Sequence, residues 1–190
     1  MHMTTRAFRN AARWTGVVIA VLIPGGVRAQ SGGYTSPRNA VVNAAGARVI
    51  KVEAGAGFLH INGRTGISDV RVNGVASASS RRLLDEIRLV AERRGDMVFI
   101  KMEVPDQNRS FWDFIHGDYR QSLDLTIDVP ITIPLDVADG SGEVKIKGTG
   151  AVTLTDGSGD LELVGITGKV RITDGSGNVV VSGVDGDVYI

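Results

Sequence analysis

The chain has 190 residues, with 21 lysines and arginines, 21 aspartates and glutamates, 25 glycines and no cysteine. The lack of cysteine excludes disulfides, thiolate metal sites and a cysteine nucleophile. The zero net charge argues against nucleic-acid binding, which needs a basic surface. A hydrophobic content of 43% at this length is sufficient for one domain with a buried core.

Residues 1–29 have the order of a secretory signal peptide. Three arginines precede the apolar run 17–23, and a small residue, Ala29, stands at the expected cleavage site. A membrane anchor is the less favoured alternative, because a helix of this length spans only about half of the hydrocarbon core. Removing this segment, with its four arginines and no acid, leaves 17 basic and 21 acidic residues, a net charge of −4. We expect an exported chain, periplasmic or extracellular and not inserted in the membrane, with residues 30–46 as a linker and 47–190 as a single domain.

Residues 75–135 lack the repeat described below and are predicted to be an irregular insertion. A serine before Arg81 is the expected cap of a short helix. The alternating segments 87–93 and 97–104 predict a hairpin around the turn Arg94-Gly95-Asp96.

An aromatic loop follows this hairpin. Phe111, Trp112, Phe114 and Tyr119 place four of the chain's ten aromatic residues within nine positions. Such residues can contact a protein or glycan partner, or they can cap the end of a repeat stack that would otherwise expose apolar side chains. Capping is the favoured interpretation, and the loop is also the best candidate for a binding site. Beyond it, residues 123–129 alternate as a strand.

The C-terminal third repeats a strand-and-turn unit. The sequence Asp-Gly-Ser-Gly begins at Asp139, Asp156 and Asp174, at spacings of 17 and 18 residues. Short alternating segments bounded by glycines follow each turn, a pattern typical of half-buried strands. Residues 54–66 align without gaps on residues 156–168, with six of thirteen positions identical. The fold class predicted is all-β, a parallel β-solenoid-like stack with two strands in each unit of 17–18 residues.

The stacking predicts specific neighbours. Leu161 should lie between the residues 17 before and 18 after it, Lys145 beside Glu162, and Lys169 beside Asp187. A meander of antiparallel hairpins is the alternative arrangement, and it would pair other residues.

Stacking would also align Asp139, Asp156 and Asp174 about 5 Å apart. One alternative function is therefore a calcium-dependent β-roll with these aspartates as ligands. The favoured interpretation is that each aspartate forms a turn with its own backbone as a solvent-exposed carboxylate. Repulsion at that distance is only about 1 kcal/mol in water, so no cation is required.

The sequence carries no catalytic motif of the hydrolase, metalloprotease or phosphate-loop types. We expect no enzyme activity and no cofactor. A glycan-acting solenoid enzyme is the remaining catalytic alternative, although two strands per unit leave little room for a substrate groove.

Residues 49–74, the strand 129–137 and the Gly-Ser-Gly-Asp-Leu-Glu-Leu type of repeat resemble the bacterial toastrack family, also labelled putative adhesin. The resemblance covers about residues 40–190 and implies a β-solenoid-like fold, a place in the cell envelope, and a part in adhesion or envelope stress sensing. It supplies no fixed binding residues. The expected partner is a cell-envelope protein or glycan, and the free edge at Asp187–Ile190 suggests end-to-end self-association.

Overall fold

The computed structural model describes residues 28–30, 33–104 and 120–190. This part of the chain is all-β with one short helix, which confirms the predicted class. It contains no helix with the length and apolar character needed to span a membrane. The elements in chain order are β1 (Arg28–Gln30), β2 (Gly33–Asn43), β3 (Val49–Glu53), β4 (Leu59–Arg64), β5 (Asp69–Ala78), α1 (Arg81–Glu86), β6 (Arg88–Arg94), β7 (Met97–Glu103), β8 (Gln121–Pro130), β9 (Leu135–Asp139), β10 (Val144–Lys147), β11 (Val152–Asp156), β12 (Leu161–Val164), β13 (Val170–Asp174), β14 (Val179–Ser182) and β15 (Val188–Tyr189).

The strands form two sheets. Sheet 1 has the order β1-β2-β5-β8-β4-β10-β12-β14, and sheet 2 has the order β15-β13-β11-β9-β3-β7-β6. Along most strands every second side chain is buried, as expected where one face of a sheet meets a core. The buried apolar side chains of both sheets form one continuous cluster. The sheets therefore enclose a single core.

The predicted stacking is found in the repeat region. Leu161 pairs with Val144 on one side and with Val179 on the other, in parallel strands of sheet 1. In sheet 2, Leu154 pairs with Val137 and Ile172 in the same way. Residues 17 or 18 apart are thus direct neighbours, and the antiparallel meander is wrong for these strands. We call two successive strands and the glycine turn between them a rung.

The predicted parallel solenoid is not confirmed for the domain, because both sheets are mixed. Strands β1, β2, β5 and β8 pair antiparallel in sheet 1, and β6 and β7 do so in sheet 2. The repeated glycine turn stops after Gly66 and resumes at Gly140, and the antiparallel strands lie at the end of each sheet remote from the later repeats. The region predicted as an insertion also contributes to the stack. Strand β7 is parallel to β3, and β8 is parallel to β4.

The predicted helix and hairpin are both present. Ser80 caps α1, its hydroxyl accepting a hydrogen bond from the Leu83 amide at 3.3 Å. Strands β6 and β7 are antiparallel, with Arg94 opposite Met97 and Gly95 at a φ of +62° between them. The C-terminal end of α1 packs against the Arg38 guanidinium, whose Nε donates to the Ile87 carbonyl at 3.0 Å.

Candidate functional site

The aromatic loop lies outside the described residues. Phe111, Trp112, Phe114 and Tyr119 fall within residues 105–119. Their suggested role in binding or capping stays a prediction.

Asp139, Asp156 and Asp174 form one column, which we call the Asp column. They end strands β9, β11 and β13, and the register places Asp156 opposite both of the others. Asp139 and Asp156 lie inside the fold, at 8% and 4% exposed, while Asp174 is only partly buried. This differs from the exposed carboxylates that we expected in the turns. Asp139 is in phase with the buried Leu135 and Val137, so strand alternation directs it inward.

The carboxyl groups of the Asp column are poorly satisfied. Oδ2 of Asp139, both oxygens of Asp156 and Oδ1 of Asp174 are buried without a hydrogen-bond partner. Burial, followed by the negative charge of Asp156, raises the pKa of Asp139 to about 7. Burial also raises the pKa of Asp156, with a contribution from the charge of Asp174. The column therefore favours protonated carboxyl groups.

A metal centre gains no support from the described part of the chain. No group of three or more histidine, cysteine, aspartate or glutamate side chains there has an arrangement that could hold a metal ion. The calcium-dependent β-roll consequently rests on the Asp column alone.

The outer face of sheet 1 carries a row of polar and charged side chains, which we call the charge row. His60, Lys145 and Glu162 occupy one register position on β4, β10 and β12. The Lys145 ammonium contacts Glu143 and lies 3.8 Å from Glu162 Oε2, as the sequence predicted for the second pair. The hydrogen bond from Lys145 lowers the pKa of Glu143, and Glu143 in turn raises the pKa of Lys145. These charges largely neutralise each other.

Phe58 begins this face, and sequence reasoning missed it. Its ring stacks on His60 with centroids 4.5 Å apart and is 37% exposed. Its amide donates to Asp124 Oδ1 at 3.1 Å, and the preceding Gly57 has a φ of +126°. The hydrogen bond fixes the backbone that carries the ring, and an exposed ring on a fixed backbone is suited to an apolar or sugar-ring contact. The sequence could have indicated Phe58, because this apolar residue occupies the repeat position that Glu143 occupies in another rung.

The last rung, residues 175–190, lies at one end of the described stack, which we call the open end. Among the described residues, β14 and β15 each have a strand on one side only. The exposed large apolar side chains here are Val180 at 56%, Val188 at 43%, Tyr189 at 48% and Ile190 at 75%. The segment holds two aspartates and no lysine or arginine.

Basic side chains of the preceding rung reach this end. The Lys169 ammonium lies 4.6 Å from the centroid of the Tyr189 ring, and the Arg171 guanidinium lies 5.5 Å from it. The Tyr189 hydroxyl donates to Asp187 at 3.4 Å. Lys169 is thus adjacent to the strand of its predicted neighbour, Asp187, while its ammonium faces the aromatic ring.

No protein-family model and no curated protein matches the chain. Among solved structures, a putative cell adhesion protein from Clostridium sporogenes is 15% identical, covering 74% of this chain and 72% of its own, with a TM-score of 0.41. A putative lipid binding protein from Parabacteroides distasonis is 11% identical, covering 82% and 73%, with a TM-score of 0.31. A putative adhesin from Parabacteroides merdae is 6% identical, covering 82% and 95%, with a TM-score of 0.28. No activity or residue role is transferred from these proteins.

Proposed function

We propose that this protein is an exported, non-catalytic binding or scaffold module of the bacterial cell envelope, adhesin-like, which associates through its last rung. The export part rests on the composition of residues 1–29. The observation that carries the binding part is the open end, where two sheets stop side by side with apolar residues exposed. Contiguous exposed apolar surface is typical of interaction sites.

The open end can accept further strands. An edge strand presents unpaired backbone N–H and C=O groups to solvent, and another strand can pair with them. Val179 and Val181 face the core but are only partly buried, because no later rung of the described structure covers them. Strand addition would satisfy the backbone groups and complete this part of the core.

We propose a second copy of the chain as the occupant, in an end-to-end dimer. The last rung offers the same edge and the same apolar residues to its own copy, as a two-fold interface requires. The rung itself carries Asp185 and Asp187, and Lys169 and Arg171 of the preceding rung reach its Tyr189 ring, so both signs of charge lie at this end. The association should therefore depend on the exposed apolar side chains and only weakly on added salt.

Light scattering across a range of protein concentrations tests this proposal. Val180→Lys places a charge on the edge strand at a side chain that is already 56% exposed. Val75→Lys is the matched control, since Val75 is 47% exposed on β5, a strand paired on both sides. We expect the wild type and the control to dimerise and Val180→Lys to stay monomeric. A wild type that remains monomeric at millimolar concentration and high salt would refute the self-association.

A second candidate function is binding of a glycan or envelope protein at Phe58. The support is the exposed ring, which stacks on His60 and whose backbone amide is hydrogen-bonded to Asp124. Retention of the protein on isolated envelope material should fall for Phe58→Ala and stay unchanged for Val41→Ala, a change at an equally exposed apolar side chain of the same sheet. Equal retention of both variants would exclude this face.

A further inference from the structure

The Asp column is the most unusual polar feature of the interior. Asp139 and Asp156 are more than nine-tenths buried and have carboxylate oxygens without hydrogen-bond partners. An ionised carboxylate in such a position loses its hydration, and the backbone amides of Gly140 and Gly157, which act to lower the pKa of Asp139 and Asp156, compensate only in part. The column must therefore acquire a counter-charge or a proton.

The surrounding elements supply no positive charge in the described structure. The position next to Asp139 on the β3 side is Ala54, as the register of β3 and β9 places it. The acids of the adjoining turns are engaged elsewhere: Glu143 contacts Lys145, and Asp160 accepts from the Asn178 side chain at 3.0 Å. The groups that face each aspartate are the other aspartates of the column, together with the backbone amide of Gly140 at Asp139 and that of Gly157 at Asp156.

Stacked carboxyl groups have a simple way to resolve this repulsion. Neighbouring strands are about 4.8 Å apart, which brings the carboxyl groups of successive rungs within reach of one another. A protonated carboxyl group donates a hydrogen bond to a carboxylate oxygen of the next rung. The net charge of the column then falls and its oxygens gain partners. Such a proton belongs to the pair and not to one residue.

We infer that the Asp column is a proton-binding site between the rungs, and that the domain is consequently more stable at mildly acidic pH than at alkaline pH. The ligand is the proton and not a divalent cation. This inference does not depend on the proposed function, because it concerns the interior of the stack and not the last rung or the Phe58 face.

The direction of the effect follows from linkage. Burial raises the pKa of Asp139 from 3.8 to about 7. Between these values the folded chain holds a proton that the unfolded chain has released, so stability falls as the pH rises through this interval. Below the lower value both states are protonated and the contribution is fully present. Above about 7 the loss is complete.

The experiment compares melting temperatures from pH 4.5 to 8.5 for the wild type, Asp139→Asn and Asp156→Asn. Asn keeps the shape of a protonated Asp, and stacked Asn side chains can hydrogen-bond along a column. Between pH 4.5 and 8.5 we expect the melting temperature of the wild type to fall by roughly 5–10 °C more than that of the Asn variants. At pH 8.5 the variants should have a higher melting temperature than the wild type. Asp136→Asn is the matched control, since Asp136 is on the same strand but faces outward. It should keep the wild-type slope.

Two outcomes would overturn the inference. The first is a pH slope that is the same in the wild type and both column variants. The second is a saturable stabilisation by calcium at pH 8, above a sodium chloride control and absent from Asp156→Asn, which would make the ligand a divalent cation. If the variants do not fold, the titration midpoints of Asp139 and Asp156 can be measured in the wild type from their carboxyl ¹³C resonances. Midpoints above 6 for Asp139 support the inference, and midpoints near 4 for both Asp139 and Asp156 refute it.

Discussion

Gly159 lies so close to Gly142 that a Cβ atom on Gly159 would overlap the Gly142 carbonyl oxygen. The same relationship joins Gly142 to Gly57 and Gly177 to Gly159. These glycines also have φ values between +126° and +149°. The second glycine of each Asp-Gly-Ser-Gly turn is therefore required twice, by its backbone conformation and by the turn beneath it.

We expect Gly159→Ala to lower the free energy of unfolding by about 3 kcal/mol or more, because strain and overlap act together. Gly66→Ala is the control. Gly66 has a φ of +71° but open space around it, so only the conformational cost of about 1 kcal/mol applies. Urea denaturation measures both, and equal losses would show that contact between the turns contributes nothing.

Burial along the stack predicts a gradient of stability. Val144 and Val179 both pair with Leu161, but Val144 is fully buried and Val179 is only partly buried. We expect Val144→Ala to cost about 2 kcal/mol and Val179→Ala less than about 1 kcal/mol. Denaturation at low protein concentration is the measurement, since dimer formation would cover Val179. Equal losses of unfolding free energy in the two monomeric variants would show that Val179 is as well covered as Val144.

Arg38 holds the end of α1 against β2. Its guanidinium donates to the Leu84 carbonyl at 3.1 Å and the Ile87 carbonyl at 3.0 Å. We expect Arg38→Met to lower stability by about 2 kcal/mol and to speed amide exchange in α1, because hydrogen bonds to a charged group are lost. Arg71→Met, at an exposed position on β5, should change neither quantity. Unchanged exchange in α1 would refute this role.

The charge row on the outer face should contribute little stability, and only at low salt. Lys145→Gln removes one cationic partner of Glu143 and Glu162, and leaves His60 near Glu143 and Lys147 near Glu162. We expect a small fall in melting temperature at low ionic strength that disappears in about 1 M salt, where the Debye length is about 3 Å. Since the pKa of Glu143 is lowered, its contribution is present at neutral pH and is lost as the pH falls below 4.5, its ordinary value. A deficit that persists in salt would indicate packing by the lysine chain.

The neighbours within the repeat could be predicted from the sequence because two signals agreed. Glycines at a fixed spacing set the length of the unit, and period-two alternation set which residues face the core, so Leu161 was placed correctly between Val144 and Val179. Local patterns also sufficed for the Ser80 cap and for the hairpin at Gly95.

Other features depend on contacts that no local pattern encodes. The burial of Asp139 follows from its phase with Val137, but a preference of aspartate for turns pointed outward. The backbone at Phe58 is fixed by a hydrogen bond to Asp124, which is 66 residues away. The antiparallel pairing of β2 with β5 joins segments without the repeat, so the spacing of glycines carried no information about it.

The order of strands in sheet 2 has a consequence for how the chain folds. Strand β3 lies between β7 and β9, and its residues Val49 and Ile50 pair with Met97 and Leu135, 48 and 85 positions later. The C-terminal strands, by contrast, pair at separations of 17 or 18. Short loops close at a lower entropic cost than long ones, so we expect the later repeats to assemble first. During synthesis β3 emerges early, but its pairing with β9 can form only after β9 has left the ribosome. The first half of the domain therefore completes its folding only after much of the second half has been synthesised.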